Sequence, residues 1–213
     1  MSVEATIGNN DHPKYVSANL NFFVPNGEKP QVLMADDYTK ENKRTGTFED
    51  KCVQIFNGRL SQPTPSLDNE GFELRAHTSE MLDFYDENEI TTRHYLEVIK
   101  LLKASTGAID VHIFDHTLRV QDVEKRNAYD TRGPVHILHN DYTEKSGPQR
   151  ITDLLSPERA RQFLSGRFAL VNVWRSIGPD VQRLPLAIAD ARFMAEQDFV
   201  ATEMVYSDRV GEI

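Results

Sequence analysis

The sequence predicts a mainly β fold with flanking helices, of the α+β class, built as a sandwich, a barrel or a jelly roll. Short stretches rich in β-forming side chains recur about 8 to 15 residues apart and are separated by turn residues. Several of these stretches alternate apolar and polar residues, which is the period of a half-buried strand. Helical periodicity is confined to a few segments, so a doubly wound sheet of alternating strands and helices is disfavoured.

The first third of the chain contains two predicted strands. Residues 16–24 have the sequence VSANLNFFV and end at the turn residues Pro25-Asn26-Gly27, which indicates a strand followed by a turn. The polar and charged stretch 36–50 predicts a surface loop. Residues 53–56 predict a second short strand, and an exposed turn with two prolines follows at 62–66.

A long helix is predicted over 87–104, where three apolar residues recur at helical spacing: Tyr95, Ile99 and Leu102. Gly107 supplies a stop signal for this helix. A shorter helical turn is predicted just before it, at 79–85. From Gly107 onward the pattern changes to period two, and alternating apolar residues mark two further strands: Ile109, Val111 and Ile113, then Val135 and Ile137.

A second helix interrupts the β-rich half of the chain. Ser156 is a favourable N-cap, Pro157 suits the first helical position, Glu158 adds an early acid, and Gly166 closes the helix after Leu164. The remaining apolar stretches predict strands at 168–174, 186–190, 199–206 and 209–213.

Composition excludes several classes of protein. A length of 213 residues favours one domain over 1–213, with N-terminal strands and helices in 1–106 and the β-rich portion in 107–213. A net charge of −9 disfavours nucleic-acid binding. The single cysteine, Cys52, cannot form an intramolecular disulfide or a zinc site by itself, which favours a reducing compartment. Neither a signal peptide nor a membrane-spanning stretch is recognisable, so a cytoplasmic protein without a membrane partner is predicted.

The strongest local signal is a His-x-Asp unit, His139-Asn140-Asp141, that directly follows the mainly apolar run Val135-His136-Ile137-Leu138. In an extended chain, residues two apart point to the same face, so His139 and Asp141 can converge on one ion. An imidazole and a carboxylate suit iron(II), and a second histidine from elsewhere would complete a facial triad. His136 alternates out of phase with His139 and is predicted to lie on the opposite face. As a bare pattern His-x-Asp is weak, and surface or hydrogen-bonded polar residues are the alternative.

Several ordered motifs extend over more than half of the chain, and together they resemble the AsaB-type hydroxylase/desaturase family of fungi. These motifs are Gly71-Phe72-Glu73-Leu74, Asp83-Phe84-Tyr85, Gly107-Ala108, the run from Val111 to Arg119, Arg132-Gly133-Pro134-Val135, the run from His139 to Thr143, the run from Asn172 to Ile177, Pro185-Leu186-Ala187 and Asp190. The combination is far more specific than any one of them.

The resemblance implies a double-stranded β-helix, or jelly roll, with iron(II) and the cosubstrate 2-oxoglutarate. It implies hydroxylation or desaturation of a small secondary metabolite with dioxygen, and it places two iron ligands on His139 and Asp141. In the family, the second ligand histidine and an arginine for 2-oxoglutarate lie after the segment that corresponds to 209–213. We therefore expect that the given sequence lacks the C-terminal strands of the jelly roll. The oligomeric state is left open, with a homodimer as one option.

Other polar residues in the motifs are candidates for binding. Arg175 and Arg150 are candidates for 2-oxoglutarate; the alternative for Arg175 is a structural ion pair. Tyr142, next to Asp141, is a candidate for substrate contact. Three residues of the run from Val111 to Arg119 either line the active site or hold its loop: Asp115, His116 and Arg119. His112 and His116 are four apart, a metal-binding spacing on a helix, but the alternation around them favours structural histidines.

Two other classes of function remain open at this stage. A metal-dependent isomerase or cyclase could use the same scaffold without 2-oxoglutarate, because a fold does not determine a reaction. A non-catalytic binding protein is the other alternative, since no histidine follows His139 to act as the third ligand.

Overall fold

The computed structural model describes residues 4–7, 13–35, 42–135, 137–178, 181 and 184–213. It divides into two compact units. Unit 1 comprises Met1–Arg75, Val135–Gln149 and Leu186–Ile213, and unit 2 comprises Ala76–Pro134 and Arg150–Pro185. The predictions made for His136 and for residues 36–41 lie outside the described residues.

Unit 1 contains a three-stranded antiparallel sheet in the order β1 (Glu4–Ile7), β2 (Pro13–Val24) and β5 (Thr47–Phe56). The strands predicted at 16–24 and 53–56 are confirmed and pair with each other, from Tyr15 opposite Phe56 to Val24 opposite Thr47. The prediction of a loop over 36–50 is wrong for residues 47–50, because β5 already begins at Thr47. Pairing with β2 holds these polar residues in a strand whose side chains remain largely exposed.

A second, four-stranded sheet of unit 1 has the order β4 (Lys43–Arg44), β3 (Gln31–Leu33), β6 (Glu203–Val205) and β7 (Val210–Glu212). Strands β3 and β6 run parallel, and the other two pairs are antiparallel. The strands predicted in 199–206 and 209–213 are confirmed in shorter form. Val32 of β3 is buried and belongs to the core of this unit.

Unit 2 contains the predicted long helix. It begins as α1 (Glu87–Glu89), continues through a π-helical segment at Ile90–His94 and ends as α2 (Tyr95–Thr106). The Asp86 carboxylate caps its first turn, and Gly107 ends it in the left-handed conformation with φ 70°. Buried apolar residues on this helix and nearby segments form the core of unit 2: Ile90, Val98, Val120, Ile151 and Ala160.

Three further helices follow: α3 (Val123–Tyr129), α4 (Ser146–Leu154) and α5 (Pro157–Leu164). The prediction for α5 is confirmed, since the Ser156 hydroxyl caps it and Pro157 takes its first position. Within the described residues, no helix combines the length and the apolar character needed to cross a membrane.

Several predicted elements are wrong. Residues 109–113, 168–174 and 186–190 adopt no regular strand, and around Ile137 there is only an isolated bridge to Asn21. An extended segment becomes a strand only where a neighbour accepts its backbone hydrogen bonds, and alternation by itself does not supply that neighbour. The coarser class, β sheets with helices, is confirmed. The sheets of the described residues do not establish the jelly roll.

The helical turn predicted at 79–85 is also wrong. Its backbone N–H groups donate to side chains instead of to carbonyls one turn away: those of Leu82 and Asp83 bond the Glu89 carboxylate, and that of Glu80 bonds the Glu97 carboxylate. Acidic side chains thereby compete successfully with helix formation.

Candidate metal centre

His139 and Asp141 lie on an irregular segment of unit 1, and their side chains face each other. Nε2 of His139 is 3.4 Å from Oδ1 of Asp141, and both side chains are partly exposed. Nδ1 of His139 lies 2.8 Å from the carbonyl oxygen of Ile137. A carbonyl only accepts, so this contact favours the proton on Nδ1 and leaves the lone pair of the neutral ring on Nε2.

This arrangement fits the donor set of a divalent metal. Two atoms with lone pairs, Nε2 of His139 and a carboxylate oxygen of Asp141, approach each other closely enough to share a cation. Metal-binding histidines commonly donate their other ring N–H to a carbonyl, as His139 does to Ile137. The role of the two residues as metal ligands stays a prediction.

A third ligand is not brought to this pair by the described residues. Among them, no group of three or more His, Cys, Asp or Glu side chains could hold a metal ion. For the facial triad predicted from the His-x-Asp unit, the described residues therefore offer two candidate ligands, His139 and Asp141.

The segment after Asp141 is held by Thr143. The backbone N–H of Thr143 donates to Oγ of Ser146 at 2.8 Å, and the Thr143 hydroxyl oxygen accepts from the backbone N–H of Ser146 at 3.0 Å. These reciprocal contacts form the turn into α4. The same hydroxyl donates to Oε1 of Glu212 at 2.9 Å, which links the turn to β7.

Glu212 belongs to a small charged cluster of unit 1. Lys29 Nζ lies 3.0 Å from Glu212 and 3.4 Å from Glu203, which is opposite Glu212 in the sheet. Hydrogen bonds from Lys29 and then from Thr143 lower the pKa of Glu212. Hydrogen bonds from Gln31 and then from Lys29 lower the pKa of Glu203. The cation offsets the repulsion between two cross-strand carboxylates.

Sequence reasoning did not assign a role to Thr143, Glu212 or Lys29. A signal for Thr143 was present, because a threonine three residues before Ser146 at a helix start is a capping pattern. Glu212 had no such signal, since it is 69 residues away from its partner along the chain.

The two predicted 2-oxoglutarate residues lie in unit 2, and each guanidinium packs on a phenylalanine. The guanidinium carbon of Arg175 is 5.1 Å from the ring centroid of Phe84, and that of Arg150 is 5.3 Å from the ring centroid of Phe114. Nε of Arg175 is buried and has no hydrogen-bond partner among the described residues. A buried guanidinium nitrogen without a partner is the kind of group that an anionic ligand would satisfy.

The candidate substrate residues differ in what holds them. His116 is bonded through both ring nitrogens, to the Tyr95 hydroxyl at 2.8 Å and to the Glu87 carboxylate at 3.1 Å. Arg119 donates to the carbonyl oxygen of Gly133 at 3.0 Å. These contacts of His116 and Arg119 stabilise the loop formed by the run from Val111 to Arg119. Asp115 is exposed, and Tyr142 is partly buried beside Asp141. Substrate contact by all four stays a prediction.

A serine, a histidine and a glutamate also meet in unit 2, and sequence reasoning missed them. The Ser79 hydroxyl donates to Glu97 at 2.5 Å, and the His94 ring lies 3.3 Å from the same carboxylate oxygen. Because the hydroxyl proton goes to the carboxylate and not to the imidazole, this is not the arrangement that activates a serine nucleophile. Burial would raise the pKa of Glu97, but hydrogen bonds from Ser79, the Glu80 backbone and His94 lower it to about 2.

Comparisons with known proteins place the chain among oxidoreductases. The sequence profile of the family described as Oxidoreductase/YMDC permease-like domain matches residues 20–213. The chain belongs to this family, and its relatives include fungal proteins named hydroxylase/desaturase and alpha-ketoglutarate-dependent dioxygenase. The resemblance stated from the motifs is thereby confirmed.

Three relatives illustrate the similarity. The chain is 30% identical to an oxidoreductase of Emericella nidulans, covering 91% of this chain and 66% of that protein. It is 33% identical to a hydroxylase/desaturase of Cercospora beticola, covering 73% of this chain and 51% of the relative. It is 29% identical to an alpha-ketoglutarate-dependent dioxygenase of a fungal species, covering 93% of this chain and 69% of that protein. The chain thus spans about half to about two thirds of their lengths.

Proposed function

We propose that the chain carries part of the active site of an iron(II)- and 2-oxoglutarate-dependent hydroxylase or desaturase. The observation that carries this proposal is the 3.4 Å approach of His139 Nε2 to Asp141 Oδ1, with the opposite ring nitrogen bonded to the Ile137 carbonyl. Relatives named alpha-ketoglutarate-dependent dioxygenase and hydroxylase/desaturase support the choice of metal and cosubstrate. We further propose that residues 1–213 belong to one domain and that the fold of this domain is a jelly roll.

His139 and Asp141 would hold the metal. His139 would offer Nε2 of a ring that the Ile137 carbonyl orients, and Asp141 would supply a carboxylate oxygen to the same divalent cation. When bound, iron(II) with 2-oxoglutarate supplies a two-electron oxidation by dioxygen, in which 2-oxoglutarate becomes succinate and carbon dioxide.

The remaining candidates would bind the organic reactants. Arg175 is our first choice for the carboxylate of 2-oxoglutarate, because its buried Nε needs an acceptor, and Arg150 is the second. A small secondary metabolite is the proposed substrate, with candidate contacts from Tyr142, Asp115, His116 and Arg119. A cytoplasmic location remains a prediction from composition.

The proposal is tested by measuring succinate release from 2-oxoglutarate with purified protein, iron(II) and dioxygen. We expect turnover in the absence of a substrate to be slow but dependent on iron and on dioxygen, and to be lost in both His139→Ala and Asp141→Ala. Turnover that survives in both variants would refute the assigned ligands.

The same samples separate the alternative functions. Metal binding without any oxygen-dependent succinate release would favour a non-redox isomerase or cyclase on the same scaffold. Failure to bind iron(II) or cobalt(II) at millimolar concentration would favour a non-catalytic binding protein, a reading in line with the absence of a third ligand among the described residues.

A further inference from the structure

A continuous set of contacts in unit 1 links the His-x-Asp segment to the four-stranded sheet. It runs from Lys29 to Glu212 at 3.0 Å and from Glu212 to the Thr143 hydroxyl at 2.9 Å. Thr143 is two residues beyond Asp141 in the chain. Among the described contacts, the hydrogen bond from Thr143 to Glu212 therefore ties the metal motif to a strand that is distant in sequence.

The hydrogen bonding of Thr143 leaves Glu212 as the acceptor for its proton. The hydroxyl oxygen already accepts from two backbone N–H groups, of Ser146 at 3.0 Å and of Lys145 at 3.2 Å. Its single proton is directed to Oε1 of Glu212, and Ser146 Oγ, the other acceptor in range, is farther away at 3.3 Å. A carboxylate receives such a bond more strongly than a neutral oxygen does.

We infer that Glu212 is a positioning residue of the candidate metal centre: through Thr143 it holds the His139–Asp141 segment in the geometry that lets both side chains reach one ion. This inference rests on the proposed function for its metal. Its structural part, that Glu212 restrains the segment from 139 to 143, can be tested with no metal present.

Glu203 provides a matched control. It lies opposite Glu212 in the sheet, carries the same charge and contacts the same Lys29. Glu203 accepts its other hydrogen bond from Gln31, whereas Glu212 accepts its other hydrogen bond from Thr143. Replacing either glutamate removes one carboxylate from Lys29, but only replacement of Glu212 removes the acceptor for Thr143.

The first experiment measures backbone hydrogen exchange of the metal-free chain over residues 139–143. We expect Glu212→Ala to speed exchange in this segment about tenfold, as a local opening becomes easier, and Glu203→Ala to leave it near the wild-type rate. Glu212→Gln keeps an oxygen acceptor for Thr143 and should restore most of the protection. Equal exchange in Glu212→Ala and Glu203→Ala would overturn the inference.

The second experiment titrates the same proteins with cobalt(II) and follows its visible absorption, which reports coordination directly. Outer partners that orient metal ligands typically change affinity 10- to 100-fold, so we expect about a tenfold loss in Glu212→Ala. Glu203→Ala and Glu212→Gln should bind close to the wild type. Circular dichroism of each variant checks that the fold is retained.

The outcomes separate this inference from the proposed function. If the wild type binds no cobalt(II), the metal site fails and the inference fails with it as a statement about metal. If the wild type binds and all three variants bind equally well, only the positioning role of Glu212 is overturned. If Glu212→Gln binds cobalt(II) as weakly as Glu212→Ala, the loss of affinity comes from removing the negative charge beside Lys29 and not from losing the acceptor for Thr143. That result also overturns the positioning role of Glu212.

Discussion

Nε2 of His139 and Oδ1 of Asp141 lie 3.4 Å apart, although the segment that carries them is not a strand. The two side chains, two residues apart in the chain, therefore face each other without the strand that the sequence predicted. The hydrogen bond from His139 to the Ile137 carbonyl then orients the ring, so that the atom facing Asp141 is the one able to bind a metal.

The first prediction concerns these two side chains as ligands. His139→Ala or Asp141→Ala should weaken cobalt(II) binding by more than about 100-fold, because loss of a direct ligand exceeds the 10- to 100-fold effect of an outer partner. Isothermal titration of the metal checks this. His112→Ala is the matched histidine control, since His112 is exposed and outside the proposed site, and it should bind like the wild type.

The second prediction concerns the carboxylate of 2-oxoglutarate. Arg175→Gln should raise the KM for 2-oxoglutarate about 10- to 100-fold, since hydrogen bonds to charged groups contribute about 1.5–3 kcal/mol. Arg175→Lys should give an intermediate value, because the charge remains while the planar fork is lost. The same measurement on Arg150→Gln compares two guanidinium groups that each stack on a phenylalanine. A larger effect at Arg150 would show that the assignment to Arg175 is wrong.

The third prediction concerns the contact between His116 and Tyr95. His116→Asn should lower the free energy of unfolding by about 1–2 kcal/mol, because it removes contacts to Tyr95 and Glu87. In a double-mutant cycle with Tyr95→Phe, the two effects should not add, which urea denaturation can measure. If the cycle is additive and stability is unchanged while the KM for substrate rises, His116 acts on substrate alone.

The fourth prediction concerns acid stability through Glu97. Its pKa in the folded protein, about 2, lies below the ordinary value of 4.5, so its charged form stabilises the fold. This stabilisation is complete above about pH 4.5 and is lost as the pH falls towards 2. Glu97→Gln should cost about 2 kcal/mol at pH 7 through weakened hydrogen bonds and should flatten the decline below pH 4.5.

Urea midpoints at pH 7, 4 and 3 test this dependence. Glu80→Gln is a suitable control, because the Glu80 side chain is exposed and only its backbone contacts Glu97. A wild type whose midpoint does not change between pH 7 and pH 3 would contradict the assigned role of Glu97.

The fifth prediction concerns the end of the long helix. Gly107 has φ 70°, and a Cβ placed there would meet no atom within 4 Å, so Gly107→Ala adds backbone strain without a clash. We expect a loss of about 1 kcal/mol in the free energy of unfolding. Gly166→Ala, which also has open space but no left-handed φ, should change stability by less than half as much.

Short-range features of the fold were predictable from the sequence. The long helix with its stop at Gly107, the cap of α5 at Ser156 and the strand ending at Val24 all follow from interactions within a few residues. The strands predicted at 109–113, 168–174 and 186–190 do not form. A strand requires a neighbouring strand to pair with, and the alternation of its own residues does not specify that neighbour.

The sequence by itself determined the family, through motifs spread along the chain, and the pairing of His139 with Asp141, through their spacing of two. Tertiary structure decided the contacts between residues distant in sequence: in unit 1 the bond from Thr143 to Glu212, and in unit 2 the packing of Arg175 on Phe84 and the hydrogen bonds of His116 with Tyr95 and Glu87. The physical reason is how far apart along the chain the interacting residues lie. Spacing and capping act over one or two turns of chain, whereas these contacts join residues 21 to 91 positions apart, and only the folded backbone brings such residues together.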